Sequence, residues 1–388
     1  MRTGQATAKA LARAVGLCLL MGALCGCGTS RAQAPASAAP SWTGGPWLGL
    51  NDNTAKYLGA VPAFARFEIA YDRSFELTAG MLPGELDRGG ETSELSRRLR
   101  EDHQYGMVPM VVIEYRGYDR TGFEYTSDPE FPQQRTAAQA RAGHNTIAAY
   151  AAGFARSAAA FLAFVHARYP GMEVLFEAMN EPWGYTQPRY NAAEYADVVA
   201  QVLPAALAAG VPADTIYVAA TGADCSPGPG VQSSCHPGWV RGMYAAQPQL
   251  RSEIQGWYLH PYGPPSGTDP LYDEGIETLP TVRSWMDSGE DNIVVSEVGF
   301  CAEDVNNPAH VQGGDDCHGL SVATSAEAAA DLTVTLQRAR SYHEAGWLRA
   351  LIVYSRNDGG WAMQRFPALT LTPSGAALET FALLDAGL

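Results

Sequence analysis

The chain has 388 residues and is 46% hydrophobic, enough to bury a large core. Its formal net charge of −15 argues against a nucleic-acid partner, because a phosphate-binding surface needs clustered Lys and Arg. Strongly anionic polymers are a poor match too; a neutral or cationic substrate suits the charge better, and solubility alone would also account for it.

At the N-terminus, Arg2, Lys9 and Arg13 precede an apolar run from Ala14 to Leu24 that is too short to span a bilayer. This is the layout of a secretory signal peptide over residues 1–26. The stretch Leu24-Cys25-Gly26-Cys27 resembles a bacterial lipobox, which implies lipidation of Cys27 and an exported chain anchored to the cell envelope. Ala32-Gln33-Ala34 offers a rival cleavage that would leave the protein secreted or periplasmic, although Pro35 would follow that cut. Residues 27–45, rich in Ala, Pro and Ser, read as a flexible spacer.

From residue 46 to 388 no second linker interrupts the chain, which points to one large domain. Near-continuous apolar segments suit strands covered on both faces: Trp47–Leu50, Phe64–Ala70, Val108–Glu114, Glu173–Met179, Thr215–Ala220, Gln255–Leu259, Ile293–Val298 and Ala350–Tyr354. Helices are expected between them. Ala137–Ala167 carries apolar residues at helical spacing, Asn191 with Glu194 opens a second helix, and Thr324 with Glu327 opens a third that runs to about Tyr342. Thr92–His103 and Leu279–Asp287 are weaker helices, and a short one is expected around Asn53–Leu58. Strand–helix alternation of this kind predicts an α/β fold, a single-domain (β/α)8 TIM barrel. The aromatic stretch Tyr115–Arg135 reads as a loop over the barrel mouth.

Cysteine use fits export. Cys225, Cys235, Cys301 and Cys317 can form two local disulfides, Cys225–Cys235 and Cys301–Cys317, since closeness in the chain favours that pairing; four free thiols are the alternative. No Cys-x-x-Cys pair occurs, and His236 and His318 lack metal-ligand spacing, so no metal site is expected there.

Two carboxylates stand out. Glu181 and Glu297 each sit where an apolar run gives way to Pro or Gly, so each reads as the last residue of a buried strand. A carboxylate is costly to bury there without a purpose, although pairing with arginines would give it a structural one. Asn180-Glu181-Pro182 after the fourth strand, His260-Pro261-Tyr262 after the sixth and Ser296-Glu297-Val298-Gly299 at the seventh together resemble the clan A glycoside hydrolases, retaining (β/α)8 enzymes that include families 5 and 39. The resemblance extends over about Trp47 to Phe366. It departs from family 5 at the third strand, where Ile113-Glu114-Tyr115-Arg116 stands in place of a histidine, and at the eighth, where Val353-Tyr354-Ser355-Arg356 replaces tryptophan.

The resemblance implies that Glu181 is the acid/base and Glu297 the nucleophile of a double displacement, with the two carboxyls about 5–5.5 Å apart. It further implies that Asn180 binds the sugar 2-hydroxyl, that Tyr262 and Arg66 hold Glu297 ionised, and that His260 positions Glu181 or a sugar hydroxyl. Each has a plainer reading: Asn180 as a turn cap, His260 and Tyr262 as packing residues, Arg66 as a partner of Glu68. Trp183, Tyr185, Trp257 and Trp361 are candidates to stack on sugar rings, although Trp257, ahead of His260 on a strand, reads more readily as core. Altogether the sequence leads us to expect an exported, monomeric glycosidase without a cofactor, cleaving β-linked poly- or oligosaccharide inside the chain. A transglycosylase and a carbohydrate-binding lipoprotein without turnover are the rival expectations. A Ser-His-Asp hydrolase is not supported, because no Gly-x-Ser-x-Gly elbow occurs.

Overall fold

The computed structural model describes residues 45–51, 64–69, 94–113, 147–182, 190–220, 237–262, 275–300, 302, 324–354, 364–365 and 370–385. The chain divides into two units, 1–38 and 39–388, and every described residue lies in the second. Cys27, Cys225, Cys235, Cys301, Cys317, Trp183, Tyr185, Trp361, Glu114, Arg116, Arg356, the helix expected at Asn53–Leu58 and the loop at 115–135 lie outside the described residues.

Eight parallel strands close a barrel in sequence order: β1 Leu48–Asn51, β2 Phe64–Ile69, β3 Val108–Ile113, β4 Leu175–Ala178, β5 Ile216–Ala219, β6 Trp257–Leu259, β7 Ile293–Val298 and β8 Leu348–Val353. These are the eight expected strands, each displaced by no more than two residues at either end. Closure falls on β1, where Gly49 pairs with Phe64 on one side and Ile352 on the other. A Cβ there would stand 2.8 Å from side-chain carbons of both neighbours, so the position needs glycine.

The helices are α1 Glu94–Tyr105, α2 Ile147–Arg168, α3 Ala192–Ala208, α4 Pro237–Ala246, α5 Leu250–Glu253, α6 Leu279–Arg283, α7 Ser325–Glu344 and α8 Pro373–Asp385. Both expected capping boxes form. The Asn191 side chain accepts from the Glu194 amide while the Glu194 carboxylate accepts from the Asn191 amide, and Thr324 and Glu327 repeat the exchange. The helix expected over Leu279–Asp287 is shorter, ending at Arg283 and preceded by a 3-10 turn at Ile276–Thr278. A short antiparallel pair, β9 Gln364–Arg365 and β10 Thr370–Leu371, precedes α8. Among the described residues no helix is long and apolar enough to cross a membrane.

The end of the barrel where the strands begin is tied by polar contacts. Arg349 of β8 donates to the Tyr217 hydroxyl at 2.9 Å and pairs with Glu173, and that hydroxyl donates to Asn292 at 2.6 Å. Asn292 in turn donates to the carbonyls of Asp214 and Gln255. The network joins the starts of β4, β5, β7 and β8 and leaves the opposite end for the site described below.

Asp102 on α1 is less well served. It is buried, and its Oδ2 has no hydrogen-bond partner. Burial is the main cause that pushes its carboxyl from an ordinary 3.8 to about 8, with Arg98 pulling it down and Glu101 pushing it up. A folded-state pKa above the unfolded one contributes stability below about 3.8 that is lost as pH rises through about 8. Asp102→Asn removes this titration. Its melting temperature relative to the parent should therefore climb between about pH 4 and about pH 8 and level off above that; a difference independent of pH would contradict the assignment.

Candidate active site

The ends of β2, β4, β6 and β7 converge on one charged cluster. Arg66 of β2 is fully buried, and its guanidinium reaches across the barrel interior. Its Nε donates to Glu177 Oε2 at 3.1 Å and its Nη2 to Glu177 Oε1 at 2.9 Å, a bidentate pair with β4. Nη2 also donates to Asn180 Oδ1 at 3.0 Å, and Nη1 binds Glu297 Oε1 on β7. The other oxygen of Glu297, Oε2, accepts from the Tyr262 hydroxyl. The Arg66–Glu68 pairing is therefore not needed to explain the arginine.

His260 stands between the two glutamates singled out by sequence. Its Nδ1 faces Glu181 Oε1 at 3.0 Å and Glu297 Oε2 at 3.6 Å. Its Nε2 faces Ser296 Oγ at 3.0 Å and Glu177 Oε1 at 3.8 Å. Burial alone would push the imidazole pKa down, but Glu297, Glu181 and Glu177 outweigh it and hold it above the ordinary 6.5. For Glu297, burial raises the carboxyl, while Arg66, His260 and Tyr262 together bring it below its usual 4.5. Glu297 is thus an ionised carboxylate with little exposure, and Glu181 is the accessible one, with side-chain exposures of 8% and 32%.

Local backbone explains where Glu181 points. β4 stops at Ala178, so Glu181 is not the last strand residue but lies in the turn beyond it, whereas Glu297 is within β7, one residue short of its end at Val298. Met179 and Glu181 adopt φ of 72° and 40°, a left-handed conformation that non-glycine residues avoid. Such a conformation costs on the order of 1–3 kcal/mol per residue and persists only where the surroundings impose it. Buried tyrosines do so here: Tyr195 donates to the Ala178 carbonyl at 2.8 Å and Tyr258 to the Met179 carbonyl at 2.7 Å. The strained turn sets Asn180 beside Arg66 and swings Glu181 over His260.

Of the expected residues, the structure brings Arg66, Asn180, Glu181, His260, Tyr262 and Glu297 together. Trp257 is fully buried in the core, where its Nε1 donates to the Ser288 carbonyl at 2.8 Å, so it is no sugar platform. Glu177 and Ser296 join the site without having been singled out by sequence. The signal for Glu177 was present: a carboxylate between Phe176 and Ala178 in a strand buried throughout.

Glu181, His260 and Glu297 offer three ligand atoms within 4.8 Å of one another, a spacing that a metal ion could bridge. Their donor set is already committed, however. Both Glu297 oxygens and both His260 ring nitrogens have hydrogen-bond partners, and Arg66 places a positive charge on Glu297. The arrangement suits shared protons better than a cation. It can stabilise one ionised carboxylate, present a second to an incoming group, and move a proton at the latter.

No protein-family model matches the chain, and no curated protein matches it. Among solved structures it is similar to a family 39 glycoside hydrolase from the gut symbiont Bacteroides cellulosilyticus WH2, at 16% identity and a TM-score of 0.50, over 89% of this chain and 65% of that one. It is also similar to the Ignisphaera aggregans GH53 catalytic domain, at 14% identity and a TM-score of 0.51, over 88% of this chain and 92% of that one. The chain thus spans just under two thirds of the length of the family 39 enzyme. At these identities the likeness is one of fold.

Removing the arginine tests how the cluster is held. Arg66→Met leaves Glu177 and Glu297 buried with their main cation gone, and should cost about 3–5 kcal/mol in urea unfolding at pH 7. Adding Glu177→Gln to that variant should recover a substantial part, because one uncompensated charge is removed. Additive losses in the double variant would contradict the pairing.

Proposed function

We propose that the protein is a retaining glycoside hydrolase acting on a β-linked poly- or oligosaccharide, with Glu297 as nucleophile and Glu181 as acid/base. The observation that carries this reading is the spacing of the two carboxylates, whose facing oxygens lie within 4.8 Å. Retaining enzymes hold their carboxyls about 5–5.5 Å apart, whereas inverting ones leave about 6.5–9.5 Å for a water.

The division of roles follows from exposure and charge. Glu297, ionised and fixed by Arg66 and Tyr262, attacks the anomeric carbon. The bond to the leaving oxygen breaks as Glu181 gives that oxygen its proton. Water then attacks the same carbon, Glu181 takes the water's proton, and Glu297 leaves as a carboxylate. Asn180 has its Oδ1 on Arg66, so a hydrogen bond to the sugar 2-hydroxyl would come from its Nδ2. Attack within the chain is the mode that the aromatic stretch at 115–135 favours, and Trp183 and Trp361 are the ring-stacking candidates.

The test is a panel of β-glycans with sizing of the products and NMR of the newly formed anomer. The parent should retain configuration. Glu181→Gln should lose roughly 10²–10⁴-fold on unactivated substrate, and Glu297→Gly should be inactive until azide restores turnover as an inverted glycosyl azide. Full activity in either variant, or an inverted product from the parent, would refute the assignment. Mainly longer products with added acceptor glycan would identify a transglycosylase on the same two residues.

Localisation is a separate proposal that rests on residues 1–27: export, with an acyl anchor at Cys27. Cys27→Ser should move the protein from the membrane fraction to the soluble exported fraction. An unchanged distribution would favour the cleavage after Ala34.

A further inference from the structure

Ser296 is buried and takes no part in the double displacement, yet it touches the same ring as Glu297 beside it. Its Oγ lies 3.0 Å from Nε2 of His260, while Glu297 Oε2 lies 3.6 Å from Nδ1. Neighbouring residues of a regular strand point to opposite faces of the sheet, so the shared contact requires an irregularity. β7 supplies one. Val295 pairs with Leu351 and Val298 with Val353, so Ser296 and Glu297 together face a stretch that β8 crosses with Ile352 alone. A bulge of this kind re-aims side chains. Here it turns two consecutive residues toward one imidazole.

The geometry points to Ser296 as a positioning residue for the acid/base: its hydroxyl holds His260 in the ring orientation that sets Nδ1 against Glu181. This role rests on the glycosidase reading above.

Packing alone does not choose that orientation. The rings of Tyr258 and Tyr262 have centroids 5.3 Å and 6.3 Å from that of His260. A half-turn of the imidazole about Cβ–Cγ exchanges nitrogen for carbon and keeps nearly the same outline, so aromatic walls accept either orientation. Hydrogen bonds tell the two apart, because each ring nitrogen donates or accepts and the ring carbons do neither well. Glu181 meets Nδ1 at 3.0 Å and Ser296 meets Nε2 at 3.0 Å. Glu181 is the less constant anchor, since its side chain is 32% exposed and it must give its proton to the leaving group. Ser296 is buried within a barrel strand and exchanges nothing with the substrate. Its hydroxyl can also turn, accepting from Nε2–H or donating to a bare Nε2. The ring thus keeps its place whichever nitrogen carries the proton, and Nδ1 stays within reach of Glu181 through both proton transfers.

Help from a general acid matters most when the leaving oxygen is a poor leaving group, so two substrates read the role directly. One is the glycan that the β-glycan panel identifies; the other is a dinitrophenyl glycoside of the same sugar, whose leaving group needs little protonation. Ser296→Ala should lower kcat/KM on the glycan by roughly 10–100-fold and on the dinitrophenyl glycoside by less than about threefold. Equal losses on the two would mean a purely structural residue and overturn the proposal. Ser296→Thr keeps a hydroxyl on the same carbon and should keep the parent's ratio between the two substrates; the alanine variant's ratio in its place would also overturn it. In a His260→Ala background Ser296→Ala should cost less than about threefold more on the glycan, and a fully additive loss would show that the serine does not act through the ring. Nitrogen-15 NMR of the imidazole gives an arm without substrate: Ser296→Ala should move the Nε2 resonance of His260, and an unmoved signal overturns the hold. If no glycan is hydrolysed at all, the functional reading fails, while the imidazole spectra still decide whether Ser296 holds the ring.

Discussion

A single buried guanidinium organises this molecule. Arg66 lies in the interior of a barrel whose strands are largely apolar, and it touches β4, the turn after β4, and β7. A charge in that position is tolerated only if it is paired and its hydrogen-bond donors are used. Glu177 and Glu297 meet that requirement, and so the strands carrying them have little freedom of register. A slip of one residue on β4 or β7 would turn the carboxylate to the other face and leave the arginine alone. The constraint that closes the barrel correctly is therefore also the one that aims Glu297.

The turn after β4 carries the second constraint. Met179 and Glu181 hold left-handed backbone against their own preference, and the strain is opposed by hydrogen bonds from Tyr195 and Tyr258 to the carbonyls of Ala178 and Met179. Those tyrosines come from α3 and β6, elements placed by ordinary core packing and, for α3, by the Asn191 capping box. Packing far from the mouth thereby fixes the position of an accessible carboxylate. A relaxed turn would let Glu181 drift from His260, and proton transfer depends on hydrogen-bond reach.

What the sequence made legible follows the same physics. The eight strands could be read because a strand covered on both faces must be apolar along its length, and the capping boxes because they need particular side chains three residues apart. Glu181 and Glu297 could be read because they interrupt that pattern beside Pro and Gly. Glu177 interrupts it as well, but from the middle of a strand, where no turn residue draws attention to it. The bent turn left no trace, since neither Met nor Glu advertises positive φ. Of the helices outside the expected set, α4 contains Gly238 and Gly242 and α5 has four residues, so neither offers a long apolar stripe. α8 did leave a signal in Thr372 before Pro373: the Thr372 hydroxyl accepts from the Gly375 amide at 3.0 Å, with proline at the first helical position.

An arginine–glutamate pair does not by itself mark a site, and this chain supplies its own control. Arg349 and Glu173 pair at the other end of the barrel, joined to Tyr217 and Asn292. There a single cation serves a single carboxylate, and the remaining bonds run to a phenol, an amide and backbone carbonyls. Such a network ties strand ends together and has no state to exchange. At the mouth, among the described residues, Arg66 and His260 face three carboxylates, and one ring nitrogen lies within 3.6 Å of two of those carboxylates at once. Protons and charge can then be redistributed with almost no movement of heavy atoms, the condition under which a preorganised site lowers a barrier. The difference between the two ends lies in the number of acceptors competing for the same few donors, and that excess is what makes the mouth of the barrel the place for chemistry.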